Sequence, residues 1–130
     1  YIFERALEKI KNFFANSKIK VIYLPSTLSS YELISPTVSF RGNMGDFGII
    51  ETKKLNQRHL EVCQEIMKIT QSFKLEFFDS TKYLLEASSR SYIHGPIDWD
   101  HLNESGYRAL SNGISEFILH PNDHHQNCKY

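Results

Sequence analysis

Net charge of either sign is missing from this 130-residue chain: fifteen Lys and Arg residues balance fifteen Asp and Glu. No sequence-wide field draws it to nucleic acid or an anionic membrane surface, so no nucleic-acid partner is expected. Long apolar runs are missing too. None approaches the roughly 18 residues needed to span a bilayer, and a soluble fold is expected. Cysteine is scarce, with two residues in all. Cys63 falls on the apolar face of an expected helix and Cys128 in a polar tail, which does not read as a disulfide framework; Cys63 reads as core. Internal repeats and low-complexity tracts are absent. What is present, 41% hydrophobic and 13% aromatic residues, is ample for one core. The chain opens at Tyr1 inside an amphipathic pattern, without an initiator Met, signal peptide or polar lead-in. That reads as a piece cut from something longer, and it leaves the compartment open.

Helical and strand patterns alternate along the sequence. Ile2, Ala6, Ile10, Phe13 and Phe14 recur at helical spacing and predict an amphipathic helix that ends at Asn16 and Ser17. The continuous apolar run 19–24 predicts a buried strand. Leu55 and Leu60 are placed to staple a second helix capped by Asn56, whose inward face continues through Val62, Cys63, Ile66, Met67, Thr70 and Phe73. A second strand is expected over 75–79. Asp79 or Ser80 can cap a short helix reaching about Ser88, and a final helix is expected from Glu104 to about Leu119, stopped by His120 and Pro121. Strand, crossover helix and strand in this order predict a right-handed parallel pair with helices on its faces. The fold class is therefore α/β, a partial three-layer α/β/α arrangement with parallel strands. Two strands alone leave open edges, so either 33–40 supplies extra strand material or the chain self-associates through an exposed sheet edge.

The segment 25–54 is long for a connection in a compact domain. Its glycines, Gly42, Gly45 and Gly48, match no dinucleotide or phosphate-loop fingerprint and read as turn formers. The tail carries His120, Asp123, His124, His125 and Cys128, all able to ligate zinc or copper. Their spacing matches no zinc module, and a solvated tail is expected, with no metal.

Chemistry concentrates in Ile97-Asp98-Trp99-Asp100-His101-Leu102-Asn103-Glu104-Ser105-Gly106-Tyr107. An Asp three residues before a His in a turn can share its side, accept the Nδ1 proton and leave Nε2 free as a base. Asn103 is a good N-cap for the helix that follows, with Leu102 and Tyr107 placed as a hydrophobic staple. Asp100 is a nearer rival for the carboxylate.

Asp-x-x-His-Leu-Asn-x-x-Gly-Tyr followed by an amphipathic helix resembles the last sequence block of the SGNH, or GDSL, hydrolases. The order of strand, helix and strand upstream, with the first strand ending in Tyr23-Leu24-Pro25-Ser26, follows the C-terminal half of that fold. The resemblance implies a flavodoxin-like fold with its N-terminal half missing, residues 1–119 forming the C-terminal part of the hydrolase-like domain and 120–130 a polar tail. It implies Asp98 as the triad acid and His101 as the base, a serine nucleophile, and ester cleavage or acyl removal from a small molecule, lipid or carbohydrate, with no organic cofactor. It further implies that loops in 25–54 shape the cleft, which makes Tyr31, Asn43 and Phe47 candidates for substrate contact. The family's Gly-Asp-Ser, oxyanion-hole Gly and Gly-x-Asn-Asp blocks are not in the sequence. Gly45-Asp46-Phe47 has Phe where the nucleophile belongs and reads as a loop. The alternative reading is a non-enzymatic module that keeps the fold for binding or assembly.

Overall fold

The computed structural model describes residues 2–41, 47–120 and 128. Two strands, β1 (Lys20–Tyr23) and β4 (Glu76–Asp79), pair in parallel, with Val21 opposite Phe77 and Tyr23 opposite Asp79. Successive side chains on a strand alternate faces, and β4 uses both. Phe77 packs with Tyr23 and Cys63 toward helix α2 (Thr52–Ser72). Phe78 stacks on Phe117, centroids 5.1 Å apart, in helix α4 (Glu104–Leu119). Truncating either buried ring to Ala costs about 3–5 kcal/mol. Lys20 of β1 pairs with Glu76 and lies 4.4 Å from the Phe117 ring centroid, closing the edge of the α4 face. Helix α3 (Thr81–Ser88) packs against α4, where Gly113 lets the backbone approach: a Cβ there would lie 2.9 Å from the Phe78 ring and 2.8 Å from Tyr83.

Between β1 and α2 the chain makes a short 3₁₀ turn over Leu28–Ser30 and then an antiparallel hairpin, β2 (Thr37–Arg41) with β3 (Phe47–Glu51). The extra strand material expected over 33–40 thus forms its own sheet and does not widen the parallel pair. The coarse α/β class stands, but the open parallel sheet of a flavodoxin-like fold is absent from the described residues: there are two two-stranded sheets. Gly48 sits under Phe40, whose ring a Cβ would meet at 2.5 Å, so this glycine serves a strand contact and not a turn. Gly42, Asn43, Gly45 and Asp46 lie outside the described residues.

Helix α2 begins four residues before the expected cap at Asn56. Thr52 ties its start to the hairpin base, donating its N–H to Pro36 O (2.9 Å) and its hydroxyl to Ser35 O (2.5 Å). Its C-terminus is a Schellman motif: Lys74 takes a left-handed φ of 57°, Lys74 N–H reaches Gln71 O, and Leu75 N–H reaches Thr70 O.

Two expectations are corrected. Helix α1 (Ile2–Phe13) forms, but of its apolar positions Leu7 alone is buried, while Ile2, Ile10 and Phe13 stand exposed. Cys63 is core, as its spacing predicts, yet it is also joined to Cys128 in a disulfide, which ties one point of the tail to α2. The pairing spans 65 residues, beyond the reach of any spacing rule.

Candidate functional site

A cavity of about 290 Å³ opens beside the carboxyl end of β1. One wall is Leu24, Pro25, Ser26 and Thr27, the residues that leave the strand; the other is His94, Asp100, His101, Leu102 and Tyr107. In α/β folds the crevice outside the carboxyl ends of parallel strands is where ligands bind. A larger hollow, about 430 Å³, lies between α1 and α2, lined by Phe3, Arg58, Glu61 and the apolar side of α2, and has no imidazole or nucleophile.

The loop 89–103 is held closed from inside. Ile93 is fully buried with Leu84 and Leu102, and Asn103 N–H donates to Ile93 O at 2.9 Å. The Asn103 side chain works in two directions: Nδ2 donates to Tyr92 O and His94 O, while Oδ1 accepts the Gly106 N–H at 3.2 Å and caps α4. Gly106 is required by proximity, since a Cβ would sit 2.5 Å from Ile93 O. Gly95 takes φ +68°, donates its N–H to Asp98 O, and precedes a cis peptide to Pro96; the Trp99 indole covers the face where a Cβ would lie.

This frame brings Asp98 and His101 together. His101 Nδ1 and Asp98 Oδ2 are 2.5 Å apart, and Oδ1 accepts the Asp100 N–H at 2.9 Å. The imidazole beside it, and then the Asp100 N–H, hold the Asp98 carboxyl below its ordinary value. The rival Asp100 supplies a backbone donor and lines the cavity, but the carboxylate on Nδ1 is that of Asp98. With Nδ1 so occupied, Nε2 of His101 is the ring nitrogen left to act as base. The pair is open to solvent, the side chains being 72% and 54% exposed, so its two members are set by the loop backbone and not by packing.

Ser26 lines the same cavity, but its Oγ bonds to Ser29 Oγ at 2.9 Å. Phe47 is 83% exposed on the hairpin and does not line the cavity, and Asn43 lies outside the described residues. Tyr31 buttresses the site from behind: its hydroxyl contacts the backbone of Ile93 and the ring of His94. His94 was not among the expected site residues. Its one sequence signal is position, in an Ile-His-Gly-Pro turn seven residues before His101.

Among the described residues the grouping with metal-ligand proximity is Cys63, Asp79 and Cys128. Its sulfurs are consumed in the disulfide and offer no thiolate. Asp123, His124 and His125 lie outside the described residues. No helix among the described residues is long and apolar enough to cross a membrane. No known protein family, curated protein or solved structure matches the chain.

Proposed function

We propose that this chain is the C-terminal part of an SGNH-type serine hydrolase, acting on an ester or on an acylated small molecule, lipid or carbohydrate. The observation that carries the reading is the 2.5 Å Asp98–His101 contact beside a cavity at the carboxyl end of a parallel strand. Helix packing on both faces of the β1–β4 pair, through Phe77 and Phe78, supports a partial three-layer arrangement. His101 Nε2 takes the proton of the serine hydroxyl as its oxygen attacks the acyl carbon, then returns it to the leaving alkoxide; Asp98 fixes the ring and stabilises the imidazolium. The serine comes from the part of the fold that bears Gly-Asp-Ser, which this sequence does not contain.

The test uses a short-chain aryl ester, the 130-residue chain, and a longer polypeptide from the same gene carrying Gly-Asp-Ser. The chain alone is expected to show no turnover that depends on both Asp98 and His101. In the longer polypeptide, His101→Ala should lower turnover by about 10⁴-fold or more. An active longer enzyme indifferent to His101→Ala removes His101 from the mechanism. Activity of the short chain abolished by Ser26→Ala makes Ser26 the nucleophile.

A further inference from the structure

Hydrogen-bond accounting around Tyr31 fixes the protonation of a second imidazole in the cavity. The backbone N–H groups of Ile93 and His94 both donate to the Tyr31 hydroxyl oxygen, at 3.1 and 3.2 Å. A backbone amide can only donate, so these two bonds take both lone pairs of the hydroxyl. Its single proton is left for the third neighbour, His94 Nδ1, 3.1 Å away. His94 Nδ1 is therefore an acceptor, and a neutral ring whose Nδ1 accepts carries its proton on Nε2.

That leaves one polar atom to place. His94 is 4% exposed and lines the cavity shared with His101. Its Nε2–H has no acceptor among the described residues, and a buried donor left without a partner is a cost that a ligand oxygen removes. Burial also depresses the basicity of the ring, which keeps it neutral near physiological pH.

We propose that His94 Nε2–H is the ligand-binding donor of this cavity and takes an acyl oxygen, either the carbonyl of an ester or the carboxylate of the released acid. The ligand's identity rests on the hydrolase reading above; the donor itself does not. His94 and His101 then have opposite roles on one cavity: His94 gives a hydrogen bond through Nε2, while His101 accepts a proton at Nε2. Tyr31 is a positioning residue, acting through the tautomer it imposes.

The measurement is a long-range proton–nitrogen correlation spectrum of the imidazoles in the isotope-labelled 130-residue chain at about pH 7.5, titrated with sodium acetate against sodium chloride at matched ionic strength. The expected result is a His94 ring protonated on Nε2 in the free chain, with that N–H shifting saturably on acetate and not on chloride. Tyr31→Phe should mix the two His94 tautomers and weaken the acetate response several-fold. His94→Gln should weaken acetate binding as read from the His101 signals. A His94 ring protonated on Nδ1, or a His94 signal that ignores acetate or answers chloride equally, overturns the proposal in the unmutated chain, whether or not the variants fold. A His94 that answers acetate while the longer enzyme ignores His101→Ala keeps this binding site and removes His101 as the base; the converse pair of results keeps His101 and removes His94.

Discussion

Two histidines in this molecule each lie near an aspartate, and they show how burial decides what such a pair can do. His101 and Asp98 touch directly in a solvent-exposed loop. His59 and Asp79 sit at the buried end of the parallel pair, where His59 is 5% exposed. There Tyr23 Oη is 3.1 Å from His59 Nδ1 and Thr81 Oγ1 is 3.4 Å from Nε2, so hydroxyls flank both ring nitrogens. Asp79 turns to Thr81 instead, accepting its hydroxyl at 2.5 Å and its N–H at 3.0 Å at the start of α3. Burial lowers the basicity of His59, against an opposing pull from the Asp79 charge. His59 is thus a neutral strut joining β1, α2 and α3. His101 is a solvent-exposed ring whose Nδ1 is held by a carboxylate.

The largest effect that separates the two is kinetic. On the hydrolase proposal, His101→Ala in the longer polypeptide carrying Gly-Asp-Ser should cost about 10⁴-fold or more in turnover and leave the thermal midpoint where it was. A drop in the midpoint comparable to that of a core variant would make His101 a strut as well, and end the contrast.

On the buried side the losses should be structural. Cys63 lies one helical turn beyond His59, and replacing Cys63 and Cys128 together with Ala should cost about 4 kcal/mol of unfolding free energy, by chain-entropy reasoning for a loop spanning 65 residues. Dithiothreitol should reproduce that loss in the unmutated protein and add nothing to the double variant. His59→Ala should cost roughly 2–4 kcal/mol, from the lost ring volume and the lost hydrogen bonds to Tyr23 and Thr81. Urea denaturation measures both.

The smallest effect is in pH. Free histidine protonates near 6.5, and both His59 and His94 are held below that value in the fold. Just below pH 6.5 the unfolded chain therefore binds more protons than the folded one, and stability falls as pH drops toward the lowered folded values; above 6.5 their contribution is complete and flat. Asp98 acts in a separate, more acidic window. Its contribution is present above 3.8 and is lost as pH falls through its depressed folded value. Unfolding curves between about pH 5 and pH 8 should show the histidine slope, shallower in His59→Gln. An unchanged slope in that variant removes His59 as its source.

What the sequence discloses follows the range of the interactions that decide each feature. Strands expected over 19–24 and 75–79 form over 20–23 and 76–79 and follow from their apolar runs, and the α4 boundaries and the Asn103 cap rest on contacts within a few residues. The Asp98–His101 contact has the same local origin. The start of α2 does not, because Thr52 is anchored by carbonyls of Ser35 and Pro36 across the hairpin. Helix α1 shows the opposite limit: periodicity identifies an apolar stripe but cannot say whether anything covers it, and Ile2 and Phe13 stay exposed here. The role of His94 depends on Tyr31, 63 positions away, and on counting the lone pairs of one hydroxyl. No local spacing encodes that count.

The Cys63–Cys128 bond also gives the site a covalent topology. It closes a ring of main chain that contains β4, α3, the loop with His94, Asp98 and His101, and α4, while Ser26 and Tyr31 lie outside it. A protease that cuts the exposed loop around Trp99 opens that ring without dividing the molecule. The two pieces stay joined through sulfur and migrate as one species until a thiol is added. A chain both nicked and reduced comes apart between Asp98 and His101, whereas one that is only nicked keeps Asp98, His101 and His94 on a single covalent body.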